Sequence, residues 1–474
     1  EPWENSMSKT TIVIITLVLY KLVLLAIGLW ASKRTLNSDD YLLAGRNLGP
    51  IVAALSYSSS ASSAWTLLGV SGIAYAVGLS SIWVAFGAIA GMLVAWFWIA
   101  PRLMASSRLL GQVTPTDFLM EGVSGSLRQP TLWLISGIII FSFIFYIAAQ
   151  FQGVGNTFAS VFAFSSSKSI LLGAFIIMLY TMLGGFWAVS ITDALQGFLM
   201  LFAAVLLPLI ALSEVGGIDG LIKGLQVNGG PSQLSFVASN VGFSALGVAL
   251  GGLSVGIGTV GQPHLLVRFM ALRDEAALRQ ARLIAVAWYL FVFMGMWILG
   301  LIGFVVHTNI ANPESIFLVL TESLLSPVLG AILLAAVLSA ILSTADSQLL
   351  SVAAVISHDL GLGGRSNTLL VARISVVALV IAAVVVAIYL PDKIFDRVVF
   401  AWVALGSAFG PLVFVRLAAL SIRSGGVFLS VLVGFSCAVI FSFVPDIHQL
   451  LKRAGPFFLA LVVLLLSKEE AESI

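Results

Sequence analysis

Residues 54–65 of the chain read Ala-Leu-Ser-Tyr-Ser-Ser-Ser-Ala-Ser-Ser-Ala-Trp. They lie inside an apolar segment that begins at Gly49-Pro50 and continues to about Val77. Six serines within eight residues are unusual at membrane depth, because clustered hydroxyls compete for neighbouring backbone groups and loosen a helix. Irregular backbone is tolerated there only where it is buried in protein or lines a water-filled cavity. Since discontinuous helices that hold ions and solutes are typical of secondary transporters, we interpret this stretch as one wall of a transport site.

The composition indicates an all-α membrane protein with many spans. Of the 474 residues, 60% are hydrophobic and 9% are charged, whereas a soluble domain has roughly 25% charged residues. The net charge of +2 is uninformative about nucleic acid, and no basic patch is interleaved with aromatic residues, so no nucleic-acid partner is expected. The single cysteine, Cys437, excludes an intrachain disulfide, and the four histidines show no metal-ligand spacing. No nucleophile, base and orienting group converge in the sequence, so we expect no enzyme.

Thirteen apolar segments are long enough to cross a bilayer, which needs about 20 residues per helix. The first lacks a cleavage site of the A-x-A type, so we interpret it as a spanning helix and not as a signal peptide. Two shorter helices are expected in loops, at Thr114–Glu121 and Pro313–Ser323. The predicted spans are 10–31, 50–79, 81–105, 130–164, 168–187, 190–214, 234–260, 280–307, 327–357, 367–390, 395–421, 425–444 and 448–467.

Lysine and arginine side chains predict the orientation, because they concentrate in cytoplasmic loops. One set of alternate loops holds about fifteen of them, including Arg46, Arg108 and Arg268, and the other set holds about seven. The amino terminus is therefore expected outside the cell and the carboxyl terminus in the cytoplasm. The loops are short, so residues 1–474 are expected to form a single transmembrane domain.

Two interrupted apolar segments suggest an internal repeat. One is Ser56–Ser63 in the second helix, and the other is the Gly- and Ser-rich stretch Gly251–Gly258 in the seventh. Interrupted helices at matching positions of two halves predict an inverted repeat with its site near the membrane midplane. The expected boundaries are 50–214 and 234–421 for the halves, and 10–31 and 425–467 for the peripheral helices.

The ninth helix carries the clearest candidate cation site. Ser339, Ser343 and Asp346 fall on one helical face, with Thr344 and Ser347 beside it. An ionisable residue inside a span is a functional-site hypothesis by default. A carboxylate among hydroxyls also suits a hard monovalent cation, which prefers oxygen ligands. Alternatively, the hydroxyls bond back to their own helix, and Asp346 caps or packs near its cytoplasmic end.

Asp193 is a second carboxylate at membrane depth. It could be an ordinary N-cap near the start of a helix. It could equally belong to an inward-facing polar stripe, because Asp193 and Gln196 share a helical face. The ninth-helix cluster favours the stripe, and with it an ion path.

Arg46 and His264 are expected to have structural roles by their positions in the sequence. Arg46 lies just before the second helix, on the side predicted to be cytoplasmic, where it fits a positive-inside anchor. Gly261-Gln262-Pro263 reads as the end of a helix, so His264 is expected in a loop.

Aromatic and amide side chains near the broken helix predict the solute contacts. Tyr146 and Gln150 are four residues apart and share a face of the fourth helix. A ring beside an amide suits a pocket for a small polar solute, although most aromatic residues in such a chain face lipid or the interface. The candidate solute contacts are Ser60, Ser63, Trp65, Tyr146, Gln150, Val255 and Thr259.

Together with the residues described above, several longer motifs give the sequence a resemblance to the sodium/solute symporter family, and within it to the bacterial sodium/proline symporters. The resemblance runs from about Ser38 to Arg423. Several long motifs in the same order make it specific. They are Asp39–Pro50, Gly184–Gln196, Gly261–Phe269, Ser343–Gln348, and Ala401-Trp402 with Gly406 and Phe409-Gly410-Pro411.

The resemblance implies thirteen helices around a five-helix inverted repeat, the leucine-transporter-type fold, in a bacterial inner membrane. It implies a transported sodium ion between the backbone near Ser59 and Ser62 and the hydroxyls of Ser343 and Thr344. The other positions it implies are Asp193 and Arg46 for sodium-dependent coupling, and Trp65 and Tyr146 beside the solute.

The chain departs from the proline symporters at four of these positions. Ala61 stands at a position where the proline symporters that this sequence resembles carry an acidic residue. Val255 and Thr259 stand at two positions where those symporters carry aromatic residues. Asp346 stands where they carry a serine, and it could restore from the opposite wall the charge that is missing at Ala61. Asp346 therefore joins the predicted sodium residues as a hypothesis.

The sequence predicts a sodium-driven symporter that imports a small organic solute, such as proline or another small amino acid. Two alternatives stay open. One is proton coupling through Asp193 or Asp346, and the other is a sensory module that binds solute and signals to a partner. The expected surroundings are the lipid bilayer and the solute, and the chain is expected to be a monomer or a weak homo-oligomer.

Overall fold

The computed structural model describes residues 8–32, 42–162, 164–181, 185–362, 368–390, 393–445 and 447–469. The first residues of two motifs, Asp39–Tyr41 and Gly184, lie outside this part. The described residues form helices and two isolated β-bridges, without a strand. The helices used below are α1 (Lys9–Ser32), α2a (Pro50–Ala64), α2b (Ser71–Val77), α3 (Ile82–Val94), α4 (Arg128–Phe162), α5 (Ser166–Thr181), α6 (Phe186–Glu214), α7a (Gly242–Leu253), α7b (Pro263–Met270), α8 (Glu275–Val306), α9 (Pro327–Ala354), α10 (Thr368–Tyr389), α11 (Ile394–Leu417), α12 (Ser424–Phe443) and α13 (Gln449–Leu466).

Eleven helical stretches in the described part are long and apolar enough to cross a membrane. One of them, Pro50–Leu109, turns at Gly78–Ser81 and so contains the predicted spans 50–79 and 81–105. Gly78 adopts a φ of 68° there, which glycine tolerates because it has no Cβ. The predicted all-α membrane fold is confirmed. The count of thirteen crossings and the sides on which the termini lie stay predictions.

Most predicted boundaries agree with the observed helices to within a few residues, but the span 234–260 begins too early. Its first residues form turns, in which the Asn240 side chain donates hydrogen bonds to the carbonyl oxygens of Val237 at 3.0 Å and Ala238 at 3.3 Å. Such local side-chain bonds compete with a helix, and α7a begins only at Gly242.

The second and seventh spans are both interrupted, as the sequence predicts. Ser63 has φ 40° and ψ −169°, which ends the regular winding of α2a. The chain then passes through a wide turn, Trp65–Val70, into α2b. In the other span, the tightly wound segment Ser254–Gly261 follows α7a, and the interruption comes just beyond the predicted stretch, at the extended residue Gln262.

The interrupted helices lie at the centre of the bundle. α2a packs against α6, α8 and α9, and α1 packs against α6 and α9. The tightly wound part of the seventh span packs between α3 and α11. Its backbone approaches α3 so closely that a Cβ on Gly256 would lie 2.1 Å from the Gly87 carbonyl oxygen. Small residues permit such contacts between membrane helices, and they bring the polar stretches together.

Candidate functional site

The serine cluster of α2a is buried against α6, α7b and α9 and does not face lipid. Ser60 lies at its centre, and its hydroxyl oxygen is 3.1 Å from the hydroxyl oxygen of Ser347 on α9. Burial in protein is what irregular backbone at this depth requires. The fully buried members are Ser56, Ser58, Ser59, Ser60, Ser62 and Ser63.

The end of α2a and the middle of α9 contact each other through two reciprocal hydrogen bonds. The Thr344 hydroxyl donates to the carbonyl oxygen of Ser60 at 2.9 Å, and the Ser60 hydroxyl donates to the carbonyl oxygen of Ser343 at 3.0 Å. The Ser343 hydroxyl makes a longer bond, of 3.3 Å, to the carbonyl of Ala340 on its own helix. The structure thus brings the backbone of the broken helix to the Thr344 hydroxyl, whereas the Ser343 hydroxyl bonds back to its own helix; the family resemblance implies both as sodium ligands.

Ser59 and Ser62, the other predicted positions on α2a, are buried at the same junction. The Ser59 hydroxyl donates to the backbone carbonyl oxygen of Asp193 at 3.1 Å. The Ser62 side chain faces Tyr289 on α8. Both residues lie within one turn of the interruption at Ser63, where helix carbonyls lose their regular partners.

Asp193 forms a buried ion pair with Arg268. The distance between Asp193 Oδ2 and Arg268 Nη2 is 2.8 Å, and the two side chains are 0% and 1% exposed. The same carboxylate oxygen accepts hydrogen bonds from Ser56 at 2.8 Å and Ser60 at 3.1 Å. Charge-assisted bonds of this kind are stronger than neutral ones. The N-cap interpretation of Asp193 is wrong, because α6 begins at Phe186.

Arg268 is a central residue of the site, and its predicted position in a loop is wrong. It lies in α7b, a short helix that Pro263 starts, since proline fits the first turn of a helix. One signal could have revealed it, because Arg268 is the single charged residue in the apolar run Leu265–Met270. Its side chain donates to Ser56 at 2.9 Å, Ser60 at 2.7 Å and Ser347 at 2.6 Å, and to the carbonyl oxygen of His264.

His264 is also in α7b and not in a loop, because Pro263 begins a helix where the sequence suggested an end. The imidazole is fully buried, and its centre lies 5.3 Å from the ring centre of Phe143 on α4. Arg46 is half-buried and donates to the carbonyl oxygens of Gln112 at 2.6 Å and Met270 at 3.4 Å. It therefore fixes the end of α7b, and its predicted role in coupling stays a prediction.

Asp346 lies one turn beyond Ser343 on α9 and is fully buried. In the described part of the chain, no side chain donates a hydrogen bond to either carboxylate oxygen of Asp346. The sequence pointed to Asp346 and Asp193, but not to Arg268, the ion-pair partner of Asp193.

Trp65 is held in an aromatic cluster directly after the interruption in α2. Its indole N–H donates to the carbonyl oxygen of Ala61 at 3.2 Å. The ring centres of Phe293 and Trp402 lie 5.5 Å away, and that of Phe395 lies 6.0 Å away. Edge and tilted contacts at such distances are favourable between aromatic rings.

The other predicted solute contacts occupy different places around this cluster. The Tyr146 hydroxyl faces Ser63 and Trp402. Gln150 instead satisfies the interrupted backbone, because its Oε1 accepts the N–H of Ala64 at 3.0 Å. Val255 and Thr259 are buried in the seventh span. Thr259 faces α3, where a Cβ on Gly91 would lie 2.7 Å from its hydroxyl oxygen.

A large cavity adjoins the aromatic cluster. It has a volume of about 650 Å³ and is lined by Gly69, Glu314, Lys393, Phe395 and Arg453, among others. Phe395 belongs to both the cavity and the aromatic cluster. The pocket beyond Arg268, at the opposite end of the site, measures only about 40 Å³. The two spaces beside the site therefore differ greatly in size.

Two interrupted helices that enclose buried hydroxyls, an ion pair and an aromatic cluster define a secondary transporter of the leucine-transporter type. Solved structures share this fold. A Na⁺-coupled sialic acid symporter in an outward-open state superposes with a TM-score of 0.81 at 17% identity, over 97% of this chain and 99% of that one. Mhp1, a nucleobase-cation-symport-1 family transporter, gives a TM-score of 0.60 at 14% identity, over 91% and 95% of the two chains.

The sequence comparisons define the family. Residues 41–434 match the sodium:solute symporter family. The osmoregulated proline transporter OpuE of Bacillus subtilis is 33% identical over 90% of this chain and 88% of that protein. Sodium/proline symporter 2 of Staphylococcus saprophyticus is 34% identical over 84% of this chain and 80% of that protein. The chain belongs to the sodium:solute symporter family. It is a sodium-coupled, multi-pass symporter of a small organic solute in a bacterial inner membrane.

Proposed function

We propose that this symporter imports proline, with another small amino acid as the nearest alternative. The support is chemical as well as comparative. OpuE and sodium/proline symporter 2, both about one-third identical over most of the chain, are named for proline transport. A buried aromatic cluster beside interrupted backbone suits a small zwitterion with an apolar ring, because ring faces pack the ring and freed backbone groups bind the charged ends.

The sodium ion in this proposal lies between α2a and α9. The observation that carries it is the contact of Thr344 with the Ser60 backbone at 2.9 Å. The ligands would be the hydroxyls of Ser343 and Thr344 and the backbone near Ser59 and Ser62. Asp193 and Asp346 would supply negative charge around this oxygen cluster, which suits a hard cation.

The coupling follows from where these ligands lie. An ion held jointly by α2a and α9 stabilises the arrangement in which the two helices are together, and so it completes the solute site around Ser63, Trp65 and Tyr146. A ligand shifts a conformational equilibrium only through its different affinities for the two states. Inward movement of one sodium charge down the membrane potential then contributes about 2.3 kcal/mol per 100 mV.

The remaining parts of the proposal concern catalysis, assembly and the internal repeat. It would transport without catalysing a chemical reaction, and it would act as a monomer or a weak homo-oligomer without a nucleic-acid partner. The inverted repeat would comprise residues 50–214 and 234–421, with 10–31 and 425–467 flanking it.

Uptake into proteoliposomes tests the proposal. Labelled proline should accumulate when an inward sodium gradient is imposed and not when potassium replaces sodium. A pH gradient without sodium should drive no uptake. Excess unlabelled proline should compete better than other small amino acids. Uptake driven equally by protons alone would contradict sodium coupling, and the absence of competition by proline would contradict the solute.

A further inference from the structure

A row of hydroxyl groups follows α9 from the proposed sodium junction towards the side that the sequence predicts to be cytoplasmic. Ser343, Ser347 and Ser351 are spaced four residues apart, so they lie along one face of the helix. The wide turn Val355–Asp359 continues the span and ends it at a carboxylate. Ionisable residues of membrane spans mark ion pathways, so the end of this row is a place to look for an ion site.

The pocket beyond Arg268 joins this row to Asp359. It is lined by Ser347 and Ser351 from the row, by Asp359 itself, and by Thr114 from a neighbouring loop. Its volume of about 40 Å³ exceeds the roughly 10–15 Å³ that one water molecule requires. The pocket therefore has room for a small ion that keeps part of its hydration.

The carboxylate of Asp359 is held in place but keeps one oxygen for a ligand. Its Oδ1 accepts a hydrogen bond from the Thr114 hydroxyl at 2.9 Å. The Thr114 hydroxyl oxygen accepts the N–H of Asp117 at 3.1 Å and so caps the loop helix Pro115–Leu119. The Asp359 Oδ2 atom is buried, and none of the described residues donates a hydrogen bond to it. A buried carboxylate oxygen without a donor is costly, and a hard cation would satisfy it.

We propose that Asp359 is a release site for the transported sodium ion, at the end of a path that begins at Ser343 and Thr344. The hydroxyls of the row replace part of the ion's hydration, and the carboxylate lowers the cost of a positive charge in a medium of low dielectric constant. Passage requires that Arg268 release the Ser347 hydroxyl, to which it donates at 2.6 Å. This inference rests on the proposed sodium junction and adds a second place for the ion beyond it.

Asp359→Asn should slow transport without weakening equilibrium binding. The amide keeps an acceptor for Thr114 but removes the negative charge, so the substitution separates an ion site from a structural contact. We expect the initial rate of ²²Na⁺ uptake into proteoliposomes, driven by saturating proline, to fall about tenfold. The proline affinity of the purified protein in saturating sodium should stay unchanged. Asp359→Glu, which restores the charge, should recover most of the rate.

Ser351→Ala and Ser357→Ala are the matched pair of controls. Ser351 lines the pocket, whereas Ser357, from the same segment, donates to the Ala353 carbonyl and is not among the lining residues. Only Ser351→Ala should slow ²²Na⁺ uptake. An unchanged rate in folded Asp359→Asn would overturn the proposal, and so would a slower rate with an equal loss of proline affinity. If Asp359→Asn does not fold, equal rates in the two serine variants would overturn it.

A mixture of all common amino acids in place of proline separates this inference from the proposed function. If the mixture drives ²²Na⁺ uptake and proline does not, the proposed solute is wrong, whereas the rates of Asp359→Asn and the wild type still test the release site. If neither drives ²²Na⁺ uptake in the wild type, the inference is overturned together with the proposed function.

Discussion

Ser63 shows how single residues build the interruption in α2. Its φ of 40° lies in the left-handed region, which costs a residue with a Cβ of order 1–3 kcal/mol. The neighbouring N–H of Ala64 would lose its helix partner there, and Gln150 on α4 accepts it at 3.0 Å. Strain held in place by a hydrogen bond from another helix is typical of a functional site. The interruption is therefore specified by residues from two helices.

Thr344→Ala removes the hydroxyl that links α9 to the backbone of Ser60. We expect the sodium concentration for half-maximal uptake to rise about tenfold or more. The loss of a polar partner for a charged group costs about 1.5–3 kcal/mol, and about 1.4 kcal/mol corresponds to tenfold in affinity. Sodium titrations of proline uptake measure the change.

Ser357→Ala is the control for Thr344→Ala. Ser357 follows α9, and among the described residues its hydroxyl donates only to the Ala353 carbonyl of its own chain segment. Its removal should leave the sodium dependence unchanged. Equal effects of the two substitutions would show that Thr344 has a general packing role and not a specific part in sodium binding.

Arg268→Met leaves the Asp193 carboxylate buried without its partner. Breaking a buried ion pair in this way typically costs about 3–5 kcal/mol. We expect a large loss of thermal stability in detergent, and a smaller loss in Asp193→Asn/Arg268→Met, where both charges are removed. Unfolding midpoints of the wild type, the two single variants and the double variant form the cycle. Additive losses would contradict a direct pair.

At the scale of helices, the seventh span depends on close backbone contact with α3. Its glycines permit this contact, as Gly256 shows against the Gly87 carbonyl. The contact places α7b, and with it Arg268, beside the serine cluster of α2a. A loosely packed seventh span would not hold the guanidinium in place, because four different helices provide its partners.

Gly256→Ala should destabilise the protein. The added Cβ would lie 2.1 Å from the Gly87 carbonyl oxygen, so one backbone must move. Overpacking typically costs 1–3 kcal/mol. Gly137→Ala on α4 is the matched control, because no atom lies within 4 Å of its added Cβ. The thermal unfolding midpoint should fall only for Gly256→Ala. A similar midpoint for both variants would mean that this contact is not tight.

Glu314 connects the short helical turn Pro313–Ser315 to the start of α11. Its carboxylate accepts the backbone N–H groups of Ile394 at 3.1 Å and Phe395 at 3.0 Å. Burial raises the pKa of Glu314 above its ordinary value of 4.5, and Asp396 adds to the effect, while the two N–H groups and Lys393 oppose it. Glu314 therefore fixes one wall of the large cavity.

The raised pKa gives Glu314 a pH-dependent effect on stability. The folded protein holds the proton more tightly than the unfolded chain, so the contribution of Glu314 is greatest below about pH 4.5 and declines as the pH rises through the raised pKa. The unfolding midpoint of the wild type minus that of Glu314→Gln should accordingly fall with rising pH in that window. A difference that stays constant or increases would contradict the assignment.

At the scale of the whole molecule, the apolar spans and the polar positions inside them could be predicted from the sequence. Asp193, Asp346 and the serines of α2a stand out because polar residues are rare in such segments. The helix of Arg268 could not be predicted, since it is too short to be recognised as a span, and only its isolation in the apolar run Leu265–Met270 marks the residue in the sequence. The contact of Tyr20 on α1 with Ser339 on α9 could not be predicted either, because the two residues are 319 positions apart.

The large cavity and the small pocket lie at different places around the broken helices. The broken helices α2 and α7 and the junction with α9 lie between the two. Sodium and solute are therefore expected to act on the same equilibrium, from adjacent places. Linkage requires that each ligand raise the affinity for the other by the same factor.

Isothermal titration of the purified protein with proline, in sodium and in potassium, tests the central claim most directly. That claim is that one sodium ion held between α2a and α9 completes the solute site. The account predicts measurable proline binding in sodium, and binding weakened at least tenfold both in potassium and in the Thr344→Ala variant. Proline affinity that is equal in the two salts, and unchanged by Thr344→Ala, would contradict it.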